Sequence, residues 1–145
     1  MDRFKILENE NILLIENDLV IMQTLIAAFS RIGCRANGFN SAEKGLTEFK
    51  NQSFSFVISD FKLPGMDGLV FLQEVMTRRK SIVTILISGY VNNDMVAAAS
   101  KIDVDAVLEK PFTLESLLNV LKERVKDRSD KTSIPASADT ATTGA

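Results

Sequence analysis

The stretch Phe54-Ser55-Phe56-Val57-Ile58-Ser59-Asp60, running into Phe61-Lys62-Leu63-Pro64-Gly65-Met66-Asp67-Gly68, carries most of the information about the fold. Its apolar run from Phe54 to Ile58 is continuous rather than alternating. Such a run suits a short strand buried on both faces, the situation in a parallel sheet covered by helices. Pro64 and Gly65 mark a tight turn directly after it. Working outward, Ile12 to Ile15 and Ile82 to Ile87 have the same character, while Val104 to Leu108 and Arg35 to Phe39 are weaker and suit edge strands.

Between the five strands lie segments of helical period. Ile21, Leu25, Ala28, Phe29 and Ile32 share a face after a candidate N-cap at Asp18, and Gly33 stands where that helix stops. Leu72, Val75 and Met76 follow Asp67 in the same way. Leu114, Leu117, Leu118, Leu121 and Val125 form the clearest stripe, capped by Thr113 and preceded by Pro111. Ser41 to Lys50 and Asn93 to Lys101 are shorter helical candidates. Strict alternation of strand and helix predicts an α/β, doubly wound sheet.

At 145 residues the chain suits one domain, expected over residues 1–128. From about Ser129 the sequence turns Ser/Thr/Ala-rich, with too little apolar area to offset ordering, so 129–145 is expected to be a disordered tail. No apolar run approaches the roughly 18 residues a spanning helix needs, and the N-terminus lacks a signal-like segment. Membrane insertion is not expected, and the reading is cytoplasmic. A net charge of −2 offers no basic footprint for direct nucleic-acid binding. The single Cys34 reads as a small apolar filler at a helix end. The chain has no histidine, which removes Ser-His and Cys-His nucleophile pairs. Any phosphoryl chemistry must use a carboxylate.

In an open parallel α/β sheet, ligands gather beyond the carboxyl ends of the strands. Those ends read Glu16-Asn17-Asp18, Ser59-Asp60, Ser88-Gly89 and Glu109-Lys110-Pro111. Asp60 is suited to attack a phosphoryl group if a divalent cation neutralises the charges that meet. Mg²⁺ prefers a few hard oxygens plus water, which Glu16, Asn17, Asp60 and a backbone carbonyl can supply. Lys110 and Ser88 can take further phosphoryl oxygens. Singly, each residue has a plainer reading: Asp18 and Asp67 as helix caps, Lys110 as a solvated lysine, Ser88 as a turn residue.

Together these motifs resemble the receiver domain of two-component response regulators over roughly Asn11 to Val125. The resemblance rests on Val57-Ile58-Ser59-Asp60 with Leu63 to Gly68, on Ile87-Ser88-Gly89-Tyr90, and on Leu108-Glu109-Lys110-Pro111-Phe112. It implies a flavodoxin-like sheet in the order 2-1-3-4-5 with five helices. It makes Asp60 the phospho-acceptor, with Ser88 and Lys110 as its hydroxyl and lysine, and Glu16, Asn17, Asp60 and the Lys62 carbonyl as the Mg²⁺ site. It implies phosphoryl transfer from a sensor histidine kinase or histidine phosphotransfer protein, catalysed largely by the receiver itself, and a downstream protein target.

The resemblance also places Lys62 and Tyr90 beside the path of hydrolytic water, where their bulk is expected to slow loss of phosphate. Two positions depart from the pattern. Asn17 stands where the family usually has a metal-binding aspartate, so Mg²⁺ is expected to bind weakly. Val107 stands where it commonly has a switching Tyr or Phe. A pseudo-receiver acting without phosphate is the alternative. A haloacid-dehalogenase-type hydrolase would need an aspartate at Lys62, and no P-loop or Gly-x-Gly-x-x-Gly turn occurs.

Overall fold

The computed structural model describes residues 3–133. Its elements are β1 (Asn11–Ile15), α1 (Leu19–Arg31), β2 (Arg35–Phe39), α2 (Ala42–Asn51), β3 (Phe56–Asp60), α3 (Gly68–Arg78), β4 (Val83–Ser88), α4 (Asn93–Lys101), β5 (Ala106–Glu109) and α5 (Leu114–Ser133), preceded by a 3₁₀ turn at Lys5–Leu7. The strands form one parallel sheet in the order β2-β1-β3-β4-β5. This is the flavodoxin-like order the resemblance implies, with the two weaker apolar runs at the edges. Helix α5 runs past the expected boundary at residue 128 as far as Ser133. The rest of the expected tail lies outside the described residues.

The continuous apolar runs become intelligible through the pleat, which sends successive side chains to opposite faces. Ile12, Leu14, Phe56, Ile58, Ile85 and Ile87 pack on one face with Leu25 and Phe29 of α1 and Leu117 and Leu121 of α5. Leu13, Ile15, Val57 and Leu86 pack on the other with Phe49 of α2, Phe71, Leu72 and Val75 of α3 and Ala99 of α4. β1, β3 and β4 are buried at every position.

Each α-helix starts on a side-chain cap. Asp18, Ser41, Asp67, Asn92 and Thr113 accept the backbone N–H of Ile21, Lys44, Val70, Met95 and Ser116 respectively, and a cap of this kind stabilises a helix by about 1 kcal/mol. The 3₁₀ turn has no counterpart in the sequence reading. It lies against α5 and brings Leu7, fully buried, into the α1–α5 side of the core. The buried Cys34 thiol donates to the Leu7 carbonyl at 3.2 Å, and burial, with the Glu10 charge adding, pushes it up to about 11. Cys34 is thus the inert filler its position suggests.

No helix among the described residues is long and apolar enough to cross a membrane.

Candidate functional site

Sheet order places the site. In this order β1 and β3 are neighbours, and the chain leaves β1 into α1 on one face of the sheet and β3 into α3 on the other, so a crevice opens above their carboxyl ends. The backbone ladder continues one step past the strands and fixes the rim residues. The Glu16 N–H donates to the Phe39 carbonyl (3.0 Å), Phe61 N–H to Ile87 (2.7 Å) and Lys110 N–H to Ser88 (2.8 Å).

Three side chains meet there. Lys110 Nζ lies 2.9 and 3.2 Å from the Asp60 carboxylate oxygens and 3.2 Å from each oxygen of Glu16. Glu16 is 1% exposed and Asp60 6%. The Asp18 N–H donates to Glu16 Oε2 at 2.9 Å, while Oε1, although within ion-pair distance of the ammonium, has no donor in hydrogen-bonding geometry. Two buried carboxylates therefore share one cation, with an acceptor left over.

The electrostatics follow. Burial, then the adjoining Asp60 carboxylate, push the Glu16 carboxyl up to about 7 against the opposing pull of the Asp18 N–H and Lys110. Burial pushes Lys110 down, but the hydrogen bond and charge of Asp60, together with Glu16, outweigh it and hold the ammonium above its usual 10.5. In metal-free protein, folded Glu16 keeps a proton between its ordinary 4.5 and about 7 that the unfolded chain has released. The unfolding free energy should therefore fall as pH rises through that window, because ionising the buried carboxyl costs the fold and not the unfolded chain. The Lys110 contribution is constant there, being lost only in more alkaline solution. Denaturant titrations in chelator across this range should show a shallower fall for Glu16→Gln; identical slopes would mean that Glu16 ionises freely.

The other expected site residues are arranged less compactly. Ser88 is buried, but its hydroxyl donates to the Tyr90 carbonyl (2.9 Å) and accepts the Tyr90 N–H (3.2 Å), so it is engaged by its own turn. Asn17 is exposed and lines a hollow with Asn40 and Lys44. Lys62 is exposed, as is Tyr90 at 70%. Val107 is half-buried against the core on the α2–α3–α4 side. Asp18 and Asp67 are caps, as their plainer readings had it.

Among the described residues no cluster of three or more His, Cys, Asp or Glu is arranged to hold a metal. A cation that keeps most of its waters does not need one. Two adjacent hard carboxylates, one with an orphaned oxygen, fit Mg²⁺ in donor chemistry.

One contributor escaped the sequence reading. A Cβ at Gly68, the first residue of α3, would lie 1.9 Å from the Asp60 carbonyl oxygen and 2.9 Å from Phe61 Cα, and the Gly68 N–H donates to Phe61 O at 2.8 Å. The helix presses directly on the backbone that carries Asp60. A glycine where the helix itself prefers other residues was the available signal.

Fold and rim together define a receiver-type module, and comparison with known proteins assigns the family. The family model described as "Response regulator receiver domain" matches residues 12–122. The chain belongs to that family. It is 30% identical over 115 residues, 77% of this chain and 89% of the relative, to a probable chemotaxis protein CheY of Rhizobium etli. It is 31% identical over 110 residues to the response regulator protein FleR of Pseudomonas aeruginosa, covering 76% of this chain and 23% of that longer protein.

Among solved structures, a CheY-like receiver domain protein from Methanospirillum hungatei superposes with a TM-score of 0.81 at 23% identity, over 86% of this chain and 99% of that one. A response regulator protein from Burkholderia pseudomallei, with a phosphorylated aspartic acid, calcium ion and citrate, superposes with a TM-score of 0.75 at 22% identity, over 86% and 74%.

Proposed function

We propose that this receiver accepts a phosphoryl group on Asp60 from a phosphohistidine of a sensor kinase or phosphotransfer protein, and signals in the cytoplasm through altered contacts with a protein target. The observation that carries this reading is the buried Glu16–Asp60 pair bridged by Lys110. An isolated strand-end aspartate has no need of a buried partner carboxylate, whereas a seat for a divalent cation does.

Glu16, Asp60, the Lys62 carbonyl and Asn17 would hold Mg²⁺. Bound there, it supplies positive charge to the transferred phosphoryl oxygens. Asp60 provides the attacking oxygen: its bond to phosphorus forms as the phosphorus–nitrogen bond of the donor breaks, and the departing imidazole keeps its electron pair until it takes a proton from solvent. Lys110 gives up one of its two carboxylates to meet a phosphoryl oxygen. Ser88 leaves the Tyr90 backbone to meet another, which frees the β4–α4 turn. With Val107 in place of an aromatic, that turn is the candidate carrier of the output change.

The test is labelling by phosphoramidate or acetyl phosphate with and without Mg²⁺. Near-stoichiometric, metal-dependent labelling is expected, and its absence under all conditions would favour the phosphate-independent alternative.

Two predictions belong to this reading. Asn17→Asp should tighten Mg²⁺ binding by at least about 1 kcal/mol, since it adds an anionic oxygen close to a divalent cation. Equal affinities by calorimetric titration would show that position 17 does not face the metal. Loss of phosphate should be slow, because the exposed Lys62 and Tyr90 side chains flank the approach of water and neither is suited to orient it. Lys62→Asn and Tyr90→Ala should each shorten the lifetime of the labelled protein. A fast decay unchanged by either substitution would remove both residues from that role.

A further inference from the structure

Residues 61–67 join the acceptor to α3 and contain the Lys62 carbonyl assigned above to the metal. The loop is fixed at its ends by Phe61 N–H on Ile87 O and Gly68 N–H on Phe61 O, and by the buried Leu63 side chain. A further tie comes from a different helix. Glu43, in the first turn of α2, accepts the Met66 N–H on Oε2 at 3.1 Å.

The turn is shaped to admit that carboxylate. Gly65 has φ +76°, a conformation that side-chain-bearing residues rarely adopt, and a Cβ there would lie 2.7 Å from the same Glu43 oxygen. A glutamate in a first helical turn has a plain reading, favourable interaction with the helix dipole. That reading requires neither a bond to a loop 23 residues away in sequence nor a glycine cleared for it.

We propose that Glu43 is a positioning residue for phosphoryl acceptance: it holds the 61–67 loop so that the Lys62 carbonyl faces the metal seat beside Asp60. It acts through the loop and does not touch the reacting atoms. The inference rests on the Mg²⁺-dependent reading of the site given above. Its chemistry is that of a charge-assisted hydrogen bond to a backbone amide, which orders a loop in which only Leu63 is buried.

Glu43→Ala and Glu43→Gln separate this role from simple electrostatics, since glutamine keeps an acceptor oxygen but not the charge. In the full chain, Mg²⁺ affinity by calorimetry should drop about fivefold in Glu43→Ala, the share of one charge-assisted bond that reaches the metal. It should stay within about twofold of the parent in Glu43→Gln. Labelling by phosphoramidate should slow in Glu43→Ala at low Mg²⁺ and recover at saturating Mg²⁺. The Met66 amide should exchange faster in Glu43→Ala and near the parent rate in Glu43→Gln. Unchanged Mg²⁺ affinity in Glu43→Ala, whatever its thermal stability, overturns the proposal, as does a Glu43→Gln variant that behaves like Glu43→Ala. A parent protein that neither binds Mg²⁺ nor becomes labelled overturns instead the underlying reading of the site, and this inference with it.

Discussion

Asp60→Asn is expected to abolish labelling by a small phosphodonor while leaving the fold intact. The amide is nearly isosteric with the carboxylate, and Ile58 and Ser59 keep their places in the β3 ladder. The variant should lose no stability in metal-free buffer above about pH 7, where Glu16 is charged. Lys110 loses one anionic partner but keeps Glu16 at 3.2 Å. Glu16, 1% exposed, loses the neighbouring charge that helps to hold its carboxyl near 7. Removing one of two like charges that share a single counterion relieves more than it costs. Among the described residues no other carboxylate at the rim stands ready to replace the acceptor: Asp18 and Asp67 are committed to helix caps, and Glu16 is enclosed. Labelling of the variant at the parent's stoichiometry would move the chemistry off Asp60.

Gly68→Ala is expected to be the most damaging single methyl group that can be added near the rim. The new Cβ would sit 1.9 Å from the Asp60 carbonyl oxygen, and side-chain carbons essentially never approach within 3.0 Å, so helix and strand end must separate by at least 1.1 Å. The neighbour is backbone at the end of the central strand and has no rotamer by which to yield. Overpacking of this kind costs about 1–3 kcal/mol, and a displacement on the order of 1 Å at a reacting group slows chemistry roughly 100-fold. Reduced denaturant stability together with a large fall in labelling rate at saturating Mg²⁺ is the expected pair of results. Parent-like values of both would mean that the α3 terminus does not set the position of Asp60.

These two substitutions also show where the sequence was legible. The rim position of Asp60 could be read because apolar runs of four to six residues can be buried only by covering both faces of a strand, and because the polar residues that end those runs fall on one rim. The caps at Asp18, Asp67 and Thr113 could be read because such side chains compete for backbone N–H groups over short distances, whereas those at Ser41 and Asn92, on the shorter helices, appear only in the structure. The division of Leu13 and Leu14 between two cores is a matter of pleat phase, and only the assembled sheet supplies it.

What escaped the sequence reading is contact between parts distant along the chain or dependent on rotamer. Gly68 looks like one more turn glycine until α3 is seen against β3. Glu43 looks like a surface acid until the Gly65–Met66 turn is placed beside it. The Ser88 hydroxyl faces the Tyr90 backbone rather than Asp60, a choice of χ1 that no pattern of residues encodes. Leu7 precedes every recognisable periodic segment, yet it is buried as completely as any strand residue.

In the proposed function Asp60 is a metal-dependent phosphoryl acceptor poised by Glu16 and Lys110. The most direct test of that role is to treat the intact protein with phosphoramidate in Mg²⁺ or in chelator, digest it, and locate the added phosphoryl group by peptide mass spectrometry. One phosphoryl group per chain is expected, on the peptide containing Asp60, formed in Mg²⁺ and absent in chelator. A phosphoryl group elsewhere, equal labelling without the metal, or none under either condition would contradict it.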